Sequence, residues 1–175
     1  MKTLLLILFL ALITVGAVYC WHHHNKILSG ENWTARQTGN TYVVSIANHA
    51  ELVTALTDFV RQNRIRAGDI RGIGAVDSAT LRFFNPATKK YIDKTFNGQM
   101  EIANLTGNIS TMDGREYLHL HITLGNSEYR ALAGHLLSAE ISGAGEFIVT
   151  KIPGTALERS FSPEVGLNFY DFDKK

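Results

Sequence analysis

Two kinds of apolar pattern divide the chain. From Leu4 to Val15 the residues are apolar without a break, apart from Thr14. Lys2 precedes this run and the small residues Gly16 and Ala17 follow it. A positive start, an apolar stretch and small residues at its end are the marks of a secretory signal peptide. The apolar stretch also reaches Trp21, long enough for a retained membrane anchor. Cys20 offers a third outcome, lipidation, although bulky Tyr19 stands where a small residue is expected. Residues 1–20 therefore predict an exported or membrane-anchored protein, periplasmic or in the cell envelope if bacterial, rather than a cytoplasmic one.

Residues 21–35 are polar and show no period, so they predict a linker. His22, His23 and His24 lie in it. Adjacent histidines on a flexible tether do not preorganise a metal site. Asn32, Asn104 and Asn108 open formal glycosylation sequons, which matter only in a eukaryotic secretory pathway.

From Thr41 the pattern changes. Thr41 to Ile46 is β-rich after a Gly39-Asn40 turn signal. Asn48 predicts an N-cap with Glu51 three residues on, and Leu52, Leu56, Phe59 and Val60 recur at helical spacing. This predicts an amphipathic helix over 49–64. Arg61, Arg64 and Arg66 suit its C-terminal dipole. Beyond Asp69 come strands and turns: 70–76, 80–85, 90–93, 96–110, 117–124, 131–142 and 146–152. Turn signals fall at Asp113-Gly114, Gly125-Asn126 and Gly143–Gly145. One early helix followed by a run of strands predicts an α+β fold, a single compact domain with a largely antiparallel sheet and one main helix. Its bounds are 36–152, followed by a C-terminal extension at 153–175 in which 164–169 predicts a last strand. Gly72-Ile-Gly74 lacks the spacing and the following helix of a nucleotide-binding loop.

The segment Tyr117-Leu-His-Leu-His-Ile-Thr-Leu124 alternates strictly. Leu118, Leu120, Ile122 and Leu124 point to one face, which must be the core, while His119 and His121 share the other. His135 follows after a turn. A hairpin centred near Glu128 makes the numbers of facing residues sum to 256, which sets His121 opposite His135. Gly134 beside it permits close backbone approach or a bulge. Neutral imidazoles meeting on one surface suit zinc or a similar divalent ion, with a position left for water or an anion. The alternative is hydrogen bonding within the sheet or at a subunit contact.

Composition narrows the chemistry further. The only cysteine is Cys20, so the body has no disulfide, thiolate nucleophile or cysteine-based zinc site. Lys and Arg number 17 against 16 Asp and Glu. Lys2 is the sole charge of the first twenty residues, so the remainder balances at zero, without the surplus that phosphate neutralisation requires. Glu101, Glu116, Glu140 and Glu146 are carboxylate candidates, and Ser110, Ser127 and Ser138 show no nucleophile-elbow pattern.

Taken in order, Arg36-Gln-Thr-Gly39, the helix, GIGAVDSATLRFF at 72–84, Tyr91, QMEIANLTGNIS at 99–110, HLHITLGN at 119–126 and GHLLSAEI at 134–141 resemble the PPC domain of plants and prokaryotes. The resemblance implies a compact α+β domain that assembles as a homotrimer. It also implies a metal-binding cluster, which maps onto His119, His121 and His135. Prokaryotic members are often labelled DNA-binding by analogy with plant proteins in which the domain follows AT-hooks. This chain has no Arg-Gly-Arg-Pro core and does have a leader, and both weigh against nucleic acid. Gln99–Ile102 resembles the segment plant members use for protein contacts. The expected function is a trimeric zinc-binding module, exported or tethered, that binds a small anionic ligand or a protein partner. The alternatives are a DNA-binding protein, or a hydrolase or lyase with Glu101 or Glu146 as base.

Overall fold

The computed structural model describes residues 26–154 and 156–174. The expected leader, Cys20 and the histidine run lie outside them. Among the described residues no helix is long and apolar enough to cross a membrane.

The described residues form nine strands and one helix, in order β1 (Ile27–Ser29), β2 (Trp33–Thr38), β3 (Thr41–Ile46), α1 (Leu52–Gln62), β4 (Gly68–Asn85), β5 (Lys90–Met112), β6 (Arg115–Gly125), β7 (Ala131–Lys151), β8 (Glu158–Ser162) and β9 (Leu167–Tyr170). Every pairing is antiparallel except the short β5–β8 contact. The α+β expectation therefore holds, in one sheet. β4 pairs with β5 and β7, and β6 pairs with the same two, so these four strands close on one another. Strands this long must bend, and the ladders shift register at Gly72/Gly74, Val76/Ser78 and Ile102/Asn104.

Four boundaries differ from the sequence reading. The expected pairs of short strands at 70–85, 90–110 and 131–152 are single bent strands. At Gly143–Gly145 the chain bulges instead of turning: Gly74 faces Gly145 while Val76 faces Ile141. Gly143, at φ +111°, supplies the backbone an L side chain resists. The helix begins at Leu52 rather than 49, because Glu51 is the cap and its carboxylate accepts from the N–H groups of Val53 and Thr54. Asn48 instead accepts from Gly143 N–H across the fold.

The third difference is the linker. Residues 27–29 and 33–38 form β1 and β2. Trp33 is buried, donates from Nε1 to Asp58 at 2.8 Å, and meets the Phe59 ring edge-on at 5.0 Å. The sequence alone predicts a tether here, because Trp33 and Ala35 are too few apolar positions to establish a strand period in β2. Phe59, Leu52 and Leu56 of α1 pack with Trp33, Tyr42, Leu120 and Phe147 in one core. The C-terminal extension carries the β8–β9 hairpin, whose second strand starts at Leu167, after a turn through the 164–166 stretch expected to be extended.

Candidate metal centre

The alternation in β6 does what the pattern requires. Leu120, Ile122 and Leu124 are buried, which commits His119 and His121 to the opposite face. β7 then delivers His135 directly opposite His121. That rung is the last one β6 and β7 share, and just beyond it Leu136 of β7 faces Leu81 of β4. His119 is thus the diagonal neighbour of His135, on the side where the strands diverge. Divergence opens space above the rings. The bulge expected beside Gly134 falls near Leu137, while Gly134 permits close packing: a Cβ there would stand 3.3 Å from the Arg82 carbonyl oxygen.

The three rings form a near-equilateral group, with centroid separations of 5.2, 5.0 and 5.4 Å. One ligand atom from each lies within 4.8 Å of the others. A tetrahedral zinc holds its nitrogens roughly 3.3 Å apart, so small side-chain rotations would complete the set. His119 and His135 are half-buried and His121 is exposed. Burial lowers the pKa of His135 to about 4, with His119, His121 and Arg82 adding to the effect and Asp93 opposing it. His119 is lowered by burial, then by Arg159 and His121. These two imidazoles are therefore neutral at pH 7, as metal ligation requires. Nitrogen donors with an open side fit a divalent cation such as zinc.

The surroundings were only partly foreseeable. Across β4, Arg82 faces both His135 and Asp93, and it forms a bidentate ion pair with Asp93 at 2.8 and 3.0 Å. Arg82 also lies 4.8 Å from the centroid of Tyr91. A cavity of about 470 Å³ opens on the histidines, walled by Phe83, Tyr117, Leu167 and Phe169. Arg159 lines it too. Sequence inspection missed Arg159 because it arrives from the C-terminal hairpin. Neither Glu101 nor Glu146 lines this cavity. Glu101 faces Gly125, and Glu146 lines a separate groove of about 690 Å³ with Val43 and Ile73. Glu116 faces Thr111. Ser110 is buried and accepts from Arg159, Ser127 sits in the β6–β7 turn, and Ser138 faces Thr80. A second set of donors, His49, Asp77 and Glu140, also converges within 4.8 Å but is more open to solvent.

The Plants and Prokaryotes Conserved (PCC) domain family matches residues 34–153. No curated protein matches the chain. A solved structure from Bacteroides thetaiotaomicron, described as a "putative DNA binding protein", is 55% identical. It covers 82% of this chain and 100% of its own, with a TM-score of 0.80. A metal-containing protein from Archaeoglobus fulgidus is 29% identical over 83% of this chain and 96% of its own, with a TM-score of 0.71. A plant- and prokaryote-conserved (PPC) protein from Pyrococcus horikoshii is 27% identical over 82% and 97%, with a TM-score of 0.72. The chain belongs to the Plants and Prokaryotes Conserved domain family.

Proposed function

We propose that this chain is a metal-binding module in which His119, His121 and His135 hold one divalent cation, zinc by the preference of imidazole sites. The carrying observation is the convergence of three ring donors within 4.8 Å on an open, solvent-reachable face. The similarity to a metal-containing archaeal protein supports it. The module is a homotrimer, exported or tethered by its leader. The apolar groove along Ile27, Val43 and Ile73, all exposed, offers a surface that another copy would cover. Binding fits this site better than hydrolysis. Among the described residues the carboxylate nearest the histidines by register is Asp93, and it is engaged by Arg82.

The test is elemental analysis of the purified full chain beside its His121→Ala variant. One zinc per chain, falling to background in the variant, supports the reading. Equal metal content in the two removes it.

A second reading, DNA binding, is favoured by the description of the 55% identical relative. A gel shift whose affinity collapses between 50 and 200 mM salt would support it. The metal-module reading predicts no shift at micromolar protein.

A further inference from the structure

We propose that the cavity above the histidines takes a small organic carboxylate with an apolar body, its acid group held between the metal and the guanidinium of Arg159. The proposal rests on the metal-binding reading and adds to it a ligand class and a recognition residue.

Arg159 is only 6% exposed. The parallel β5–β8 contact places it beside Met112, and from there its side chain reaches back along β5 to Ser110 and Asn108. Its Nε donates to Ser110 Oγ at 2.8 Å, Nη2 to Asn108 Oδ1 at 2.7 Å, and Nη1 to the Asn168 carbonyl oxygen at 3.3 Å. All three acceptors are neutral. A guanidinium carries five N–H donors, so two are left over. Among the described residues Arg159 has no ion pair, whereas Arg82 in the same cavity is paired with Asp93. The acids closest in the hairpin face other groups: Glu158 accepts from Thr111 and Asp171 from Ser160.

A buried cation without a counter-charge is costly. The rings of Tyr170 and Tyr117, at 4.2 and 5.4 Å from the guanidinium carbon, soften that cost without cancelling the charge. Asn108, which holds Arg159, faces His119 across the β5–β6 ladder, so the guanidinium is tied to the metal face itself. A divalent ion bound by neutral imidazoles would add positive charge to a pocket whose free cation is already unbalanced. One anionic group answers both. Phe83, Phe84, Leu167 and Phe169 give the cavity an apolar side, which favours an organic anion over a bare inorganic one. A planar carboxylate matches the two-donor fork of arginine.

The test is calorimetric titration of the zinc-loaded full chain with benzoate, hexanoate and benzamide. Saturable binding of a carboxylate, no binding of neutral benzamide, and at least tenfold weaker binding in Arg159→Gln at unchanged zinc content support the proposal. Neither carboxylate binding, or equal affinity in the variant, overturns it. Should Arg159→Gln not fold, the Arg159 Nε–H resonance of the wild type takes its place. A saturable shift on adding the bound carboxylate supports the proposal, and no shift overturns it. The two readings fail separately: a chain without zinc fails the metal reading, and a zinc-loaded chain blind to carboxylates fails only this one.

Discussion

His121 stands opposite His135 on the last rung that β6 and β7 share, and His119 is diagonal to that pair where the strands part. The site is therefore a product of register. Slipping β7 by one residue would turn His135 toward the core and bring Gly134 or Leu136 to the metal face.

Metal binding to the native state alone raises stability by mass action, by about 2.7 kcal/mol at a hundredfold excess over Kd. Zinc should raise the Tm of the wild type in thermal scans, and chelator should reverse the rise. In His135→Ala the zinc-dependent shift should vanish. A shift that persists would assign the metal to other ligands.

The chelated protein should lose stability on mild acidification. The folded pKa of His135 is about 4 against an ordinary 6.5. Above pH 6.5 the group is neutral in both states, and its contribution is fully present. As pH falls toward 4 the unfolded chain takes up a proton that the folded one refuses, and roughly 2–3 kcal/mol is lost. His119 shifts in the same direction. Urea titrations at pH 7 and pH 4.5 measure the loss, and His135→Gln should make it smaller.

Gly107 lies on β5 opposite Leu120, where a Cβ would overlap the carbonyl oxygen of His119. Gly107→Ala should push β6 away from β5. The expected result is a loss of about 1–3 kcal/mol and weaker zinc binding, both read on one preparation. Unchanged zinc affinity would show that the strand spacing at His119 does not govern the site.

Much of this site can be read from the chain because a strand alternates with period 2. Leucines and isoleucines at 118–124 force the intervening histidines to one face, and the symmetric turn sets the third opposite the second. What cannot be read depends on distant residues. Arg159 meets Ser110 and Asn108 across about fifty residues of sequence, and no local period encodes that contact. Residues 143–145 look like a turn because glycine serves bulges and turns equally. Trp33 looks like linker because its partners, Asp58 and Phe59, belong to a helix still to come.

The burial of Trp33 makes a sharp claim about the N-terminal side of the domain. Trp33→Ala should cost about 3–5 kcal/mol, as for other buried aromatics. A chain starting at residue 26 should unfold cooperatively with the stability of the full chain, and one starting at residue 37 should not. Equal stability of the two shortened chains would return residues 27–36 to the role of a tether.

The central claim is that three imidazoles share one cation, and anomalous diffraction at the zinc edge tests it most directly. The account predicts one peak per chain, about 2.0–2.1 Å from a nitrogen of each of His119, His121 and His135. A map with no peak there, or with its peak at His49, Asp77 and Glu140, would contradict it.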